Sequence, residues 1–320
     1  YIMDFIKYKI EKKRNIKPNS LKAYLINIKK LNQFINDGEE FKNLDFLKDE
    51  DKVIEILKKN FKLTTQKNYL ASIVVALDAF NDKYKDELKD YRKRLEDLNN
   101  EYNKEIEKNE KSHSQEENWT SMKNLKRVVN SYKADLLDRN ALKKDELTKK
   151  EFDIMQMWVV GNLYTNISNP PARLDYGHMR VIKESDFKKL KTEDLKKNYL
   201  VVKNRNIKYF SFGSYKTDKT YKIRKIDIGK KLNSVLNIWL KYNKTGSLLL
   251  DSRKNSMSPN QLGKFITKTF KPTGKNINVN LLRHIFISEM FPAEKEKERE
   301  EVSEKMMHSL STNKTYAKKD

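Results

Sequence analysis

The chain of 320 residues carries 68 Lys and Arg against 45 Asp and Glu, a formal charge of +23. That length, at roughly 150 residues per domain, predicts two domains, each large enough for a core of its own. No run approaches the ~18 apolar residues of a membrane span, and the lack of any cysteine excludes a disulfide scaffold, a thiolate metal site and a cysteine nucleophile. The four histidines leave little for a zinc site. The chain opens on Tyr1 rather than Met, as a fragment would, and shows no secretory leader pattern. The positive charge is uneven: residues 1–150 hold +7, and residues 181–280 alone hold +17. So local an excess predicts a polyanionic partner, and nucleic acid is the commonest one.

In chain order, Pro18-Asn19-Ser20 supplies a helix start, and Leu21, Tyr24, Leu25, Ile28, Leu31 and Phe34 follow at helical spacing. A second helix is expected from Thr64-Thr65 through Tyr69, Leu70, Ile73, Val74, Leu77 and Phe80. Both stripes read as core, with Lys22, Lys29, Lys30 and Lys67 outside and able to meet phosphates. From Tyr84 a heptad-like run (Leu88, Tyr91, Leu95, Leu98, Tyr102, Ile106) lies among dense alternating charges. It predicts a long amphipathic helix acting as a spacer or hairpin, paired with another from about Trp119 to Leu137. Residues 109–118 read as a polar loop.

A new unit is expected at Leu147-Thr148, with Thr148 capping a buried helix that Asn169-Pro170-Pro171 stops. Strands are predicted at about 199–204, 207–215 and 221–228, joined by polar turns such as Lys216-Thr217-Asp218-Lys219. Segments 229–242, 259–270, 280–290 and 297–308 read as helices. The expected fold class is therefore mainly α with a small antiparallel β-sheet. Its domains are 1–82, a helical unit; 83–146, a helical linker or insertion; and 147–320.

Absences narrow the chemistry. There is no GxxxxGK[ST] phosphate loop, no HExxH, and no spaced carboxylate cluster of the two-metal kind. Covalent work on nucleic acid is then expected to proceed without a metal or other cofactor. Such attack on a phosphodiester needs a side-chain nucleophile that keeps the bond energy, cations on the nonbridging oxygens, and an acid for the departing oxygen. Arg suits the second role because its fork binds oxygens bidentately. The second half offers Arg173 in Ala172-Arg173-Leu174-Asp175-Tyr176, Lys216 in the hairpin, and Arg283-His284 in Leu281-Leu282-Arg283-His284. It also offers Met307-His308-Ser309 and, eight residues after His308, Tyr316.

Five residues in that order resemble the tyrosine recombinase (phage-integrase) family over most of the chain. The wording Pro-Pro-Ala-Arg-Leu-Asp-Tyr and Tyr-Lys-Thr-Asp-Lys-Thr-Tyr is similar to versions carried by large DNA viruses, virophages and related mobile elements. The resemblance implies an N-terminal core-binding domain at 1–82 and an α+β catalytic domain at 147–320. It implies Tyr316 as nucleophile, forming a 3′-phosphotyrosyl bond and releasing a 5′-hydroxyl. Arg173 and Arg283 would grip the phosphate, Lys216 (with Lys219 as competitor) would protonate the 5′-oxygen, and His308 would hydrogen-bond a phosphate oxygen. Asn280 stands where the family usually has His or Lys; it can donate a hydrogen bond but cannot shuttle a proton. Tyr176 stands where an acid is usual, and Asp175 is the substitute in reach.

The implied activity is DNA recombination or integration on double-stranded DNA by a homotetramer, without membrane or cofactor. The location implied is intracellular, wherever the target DNA lies. A type IB-like topoisomerase and a catalytically inactive DNA-binding protein on the same fold are the alternatives.

Overall fold

The structure, a computed structural model, describes residues 2–36, 39–108, 110–203, 206–291, 296–307, 309, 312 and 315–317. The chain divides into two compact units, Tyr1–Lys108 and Asn109–Asp320.

The first unit is helical: α1 (Ile2–Lys13), α2 (Pro18–Ile35), α3 (Glu50–Asn60), α4 (Leu63–Asp78) and α5 (Lys85–Glu107). Pro18 sits in the first turn of α2, where a missing N–H costs nothing. The expected stripe then points Leu21, Ile28 and Leu31 inward, while Phe34 stays exposed. In α4, Tyr69 through Asp78 are almost all buried, so this is the central helix. The run after Tyr84 buries Tyr84, Leu88 and Tyr91 against this same core, and the Tyr91 hydroxyl donates to the Leu47 carbonyl at 2.8 Å.

Asp78 fastens three of these helices. Its carboxylate meets Arg14 of the α1 end at 2.7 Å and Arg92 of α5 at 2.8 Å, with Lys13 at 3.3 Å. A carboxylate at a helix C-terminus opposes the helix dipole, and the three cations reverse that. Burial pushes the Asp78 carboxyl up, but Arg14 and then Lys13 outweigh it, so it ends below the usual carboxylate value. A depressed folded pKa gives stability that is complete above the unfolded value of 3.8 and lost as pH falls through the lower folded one. Asp78→Asn is therefore expected to lower the thermal midpoint at pH 7, with the gap to wild type closing below about pH 4. A thermal melt series in pH checks this, and a constant gap would refute it.

The second unit begins with α6 (His113–Asn118), α7 (Met122–Asp138) and α8 (Lys149–Thr165). A capping box, Thr148 with Glu151, starts α8. The side chains of Trp158, Val159, Val160, Leu163 and Tyr164 make α8 the spine of the second core. Gly161 lets α7 approach, since a Cβ there would lie 2.5 Å from Val129.

The sheet follows, with β1 (Arg180–Lys183), β2 (Asn198–Lys203), β3 (Asn206–Phe212) and β4 (Arg224–Asp227) in the order β1-β2-β3-β4. It is interspersed with the short helices α9 (Glu184–Phe187) and α10 (Asp218–Tyr221). Helices α11 (Lys230–Tyr242), α12 (Pro259–Phe270), α13 (Val279–Met290) and α14 (Glu296–Lys305) complete it.

The fold is mainly α with a small four-stranded sheet. The expected antiparallel sheet is corrected in one respect: β1 joins it parallel to β2, so the sheet is mixed. Arg-Val-Ile-Lys is too short and too charged to read as a strand alone, and its partner supplies the pairing. Strand β4 also starts later than expected, because Asp218–Tyr221 turns once as helix. The expected 83–146 linker is divided between the units. Leu88 and Tyr91 belong to the first core, and Leu125, Val128, Val129 and Leu136 to the second. The polar stretch 109–118 contains α6, capped by Ser112 and Gln115. Among the described residues no helix is long and apolar enough to cross a membrane.

Candidate active site

Helix α13 begins at Asn278, whose side chain accepts from the Leu281 N–H at 2.9 Å. Its apolar face buries Leu281, Leu282, Ile285, Phe286 and Ile287, and in the same helix Arg283 is 0% exposed. The Arg283 Nη1 donates to the Pro171 carbonyl at 2.5 Å, while Nε and Nη2 are buried with no hydrogen-bond partner among the described residues. Pro171 lies two residues before Arg173, so the contact ties α13 to the loop that carries the second arginine. The Tyr164 hydroxyl of α8 donates to the Arg173 carbonyl at 2.6 Å and fixes that loop from the other side.

Asn198, the first residue of β2, joins this loop to the lysine hairpin. Its Nδ2 donates to the Asp175 and Ser214 carbonyls at 2.9 and 2.8 Å, and its Oδ1 accepts from the Gly213 and Ser214 N–H groups at 3.0 and 2.9 Å. Only glycine fits at 213, because a Cβ would lie 2.0 Å from the Leu195 carbonyl oxygen. Two residues beyond Ser214 the exposed Lys216 extends from the hairpin. The next side chain, Thr217, donates its hydroxyl to the Met307 carbonyl at 2.7 Å. Met307 has a φ of 57°, in the left-handed region that non-glycine residues rarely adopt. The hairpin is thus tied to the segment that leads to Tyr316.

Tyr316, in a helical turn and partly buried, packs its ring against two groups. The Arg283 Cζ lies 4.8 Å from the ring centroid, and the His284 ring is 4.8 Å away, tilted by 58°. His284 Nδ1 donates to the Tyr316 carbonyl at 2.9 Å; an acceptor there requires the proton on Nδ1.

Burial pushes the Tyr316 phenol up, yet the charge and hydrogen bonding of Arg283, then Arg173 and Lys216, outweigh it, so the phenol sits below its ordinary value of 10.0. The charge of Arg283 is the larger part of its effect, ahead of its hydrogen bonding. Burial pushes Asp175 up; Arg173 and Arg283 beside it offset this only in part. Its Oδ2 is buried without a hydrogen-bond partner among the described residues.

The structure thus brings together Arg173, Arg283, Lys216 and Tyr316. Lys216 acts on Tyr316 after Arg283 and Arg173, and Lys219 is exposed on α10. Asn280 lies one turn before Arg283 on the exposed side of α13 and makes no hydrogen bond with Tyr316 among the described residues. His308 lies outside the described residues. Tyr176, in the place of an acid, is a core ring packed on Tyr164, Phe210 and Phe212, which leaves Asp175 as the carboxyl between the arginines.

Two participants were not legible as such. His284 reads as a structural histidine beside Arg283. Asn198 gives only the weak signal of an amide at the start of an apolar strand.

No family model and no curated protein matches the chain. Among solved structures, one described as the crystal structure of XerA recombinase is similar, with a TM-score of 0.41 and 12% identity over 99% of this chain and 94% of that one. At that TM-score no residue correspondence is carried across.

Proposed function

We propose that this chain cleaves and rejoins DNA strands through Tyr316, as a site-specific recombinase or integrase of the tyrosine recombinase type. The observation that carries the reading is the buried Arg283. A fully enclosed guanidinium whose Nε and Nη2 have no hydrogen-bond partner among the described residues is unfavourable by itself. It suits a tetrahedral oxyanion delivered against Tyr316, with Arg173 as the second cation.

In the forward step the Tyr316 oxygen gives up its proton to solvent and bonds to phosphorus. The bond to the 5′-oxygen breaks, and the Lys216 ammonium transfers a proton to that oxygen. Rejoining runs the same step backwards, with a 5′-hydroxyl as the attacking group. His308 and Asn280 are assigned as hydrogen-bond donors to nonbridging oxygens. Residues 1–82 are assigned to DNA binding and 147–320 to catalysis. Exchange between two duplexes requires four protomers, each cutting one strand. The motif wording supports a viral or other mobile-element source.

The test is a nicked duplex that traps the cleaved strand, with chelator present, read on a denaturing gel. A supercoiled plasmid carrying the source element's ends is run beside it. A covalent protein–DNA band supports the reading. Its absence on DNA that the protein binds would leave a DNA-binding protein without catalysis, and relaxation by a monomer without strand exchange would indicate a topoisomerase.

The acid has its own test. Lys216→Ala is expected to slow cleavage about 100-fold or more. The loss should shrink to less than about tenfold when sulfur replaces the 5′-oxygen, because a thiolate leaves without a proton. The same pattern in Lys219→Ala would transfer the role.

A further inference from the structure

A second concentration of unpaired positive charge lies outside the candidate active site. Helices α7, α8 and α11 enclose a pocket of about 220 Å³, lined by Lys126, Asn130, Asn162, Asn166, Ser168 and Lys231, among others. That is smaller than the ~300–1,000 Å³ of a typical small-molecule site and large enough for a phosphoryl group.

Its two lysines make no ion pair or hydrogen bond among the described residues. Burial and the charge of Lys231 both push the Lys126 ammonium down, and Glu289 opposes them only in part. Two cations held in one cleft repel each other, and an anion between them would reverse that.

Helix α11 adds to the imbalance. It opens with Lys230 and Lys231, has no acidic residue in its first turn, and its N-cap is Gly229, which offers no side-chain acceptor. Lysines at the positive end of a helix dipole are misplaced unless an anion joins them.

An independent group points the same way. Asn166 is only 7% exposed. Its Oδ1 accepts from the Ser168 and Asn169 N–H groups at 2.9 and 3.3 Å, which fixes the amide's orientation. Its Nδ2 is left as a donor with no partner among the described residues, in a pocket that the two lysines share with the amides of Asn130 and Asn162, two hydroxyls and the apolar Val129 and Ile167.

Position supplies the source of the anion. Ser168 precedes Arg173 by five residues, a span of at most about 17 Å of chain. Successive phosphates on a strand rise by about 3.4 Å, so a strand held at Arg173 and Arg283 reaches the pocket within about five nucleotides.

We propose that the Lys126–Lys231–Asn166 pocket is a phosphate-binding site, and that it takes a backbone phosphate of the same duplex a few nucleotides from the one held by Arg173 and Arg283, setting the register of the strand. The DNA half of this rests on the function proposed above.

The test uses the full chain and its Lys126→Met/Lys231→Met variant, with Lys126→Arg/Lys231→Arg as the charge-preserving control. Affinity for a fluorescent duplex is measured between about 50 and 200 mM NaCl. Thermal midpoints are measured with and without inorganic phosphate.

The methionine variant is expected to keep its fold. It should bind unrelated sequences more weakly to the same degree and lose about one unit of salt slope, so that its deficit shrinks about threefold across that range. The arginine variant should recover the slope. If phosphate raises the midpoint of wild type but not of the methionine variant while the DNA slope is unchanged, the site takes free phosphate and the DNA assignment is overturned. If neither quantity responds, the pocket is not a phosphate site.

These readouts are non-covalent, so failure of Tyr316 to form an adduct would leave them interpretable. Should the chain bind no duplex at all, the proposed function falls, and the inorganic phosphate arm still decides the pocket.

Discussion

Tyr316→Phe is expected to abolish the covalent protein–DNA band while DNA affinity stays within about twofold of wild type. The substitution removes one oxygen and little else. The ring still stacks under the Arg283 guanidinium and beside His284, and the His284 bond goes to the Tyr316 backbone carbonyl, which Phe retains. A drop in affinity along with the band would mean that the hydroxyl binds rather than attacks. In wild type, cleavage should rise with pH toward a midpoint below the ordinary phenol value of 10.0, since Arg283, Arg173 and Lys216 favour the phenolate. Replacing Arg173 by Gln withdraws one of these charges and should move that midpoint upward. A residual band in Tyr316→Phe would transfer the nucleophile to another residue.

Arg283→Met is expected to end cleavage, by at least about a thousandfold, and yet to leave a protein more resistant to urea by about 1 kcal/mol. Methionine follows the aliphatic stem but ends two atoms short of the terminal guanidinium nitrogens, so in this wholly enclosed site part of the gain is lost to a void. Methionine carries no charge to desolvate and no donors to leave unspent, where Arg283 has no partner for Nε and Nη2 among the described residues. Against this stands the loss of the charge-assisted bond to the buried Pro171 carbonyl, about 1.5–3 kcal/mol in a typical case. Relief of the buried charge is expected to exceed it. A urea titration and the adduct gel together decide the matter. If the variant loses stability and activity alike, Arg283 is a structural fastening of α13 to the Pro171 loop, and its unspent donors serve no ligand. Arg283→Lys should be nearly as inactive as the methionine variant, because a point charge cannot replace a planar fork.

What was legible in the sequence followed local rules. Thr148 announces α8 as its cap, and the structure completes it as a capping box with Glu151. The apolar stripes of α2, α4 and α13 place those helices. Helices α1 and α3 escaped, because Ile6 and Ile10 or Val53 and Leu57 are sparse among charges and become a face only against α2 and α4. Strand β1 escaped for the same reason, since its evidence as a strand is its partner.

In the candidate site, Arg173, Lys216, Arg283 and Tyr316 stand out only through the order that carries the resemblance, since residue type alone cannot choose among 68 Lys and Arg and 16 Tyr. Long-range contacts decide the rest. Asn198 matters through carbonyls 23 and 16 residues away. The choice between Asp175 and Tyr176 follows from which one the aromatic cluster of β3 absorbs.

The bond from Thr217 to Met307 has a consequence for the timing of the reaction. Under the proposed function the acid, Lys216, and the nucleophile, Tyr316, belong to distant parts of the chain, and the Thr217 hydroxyl links the loop of the first to Met307, nine residues before the second. Under that function a shift of Met307 would strain the lysine hairpin, so the two reagents would be armed and disarmed together. A duplex that reaches a half-formed centre finds neither a nucleophile without its acid nor an acid without its nucleophile. Such a coupling would guard the DNA of the proposed reaction against breaks that could not be resealed.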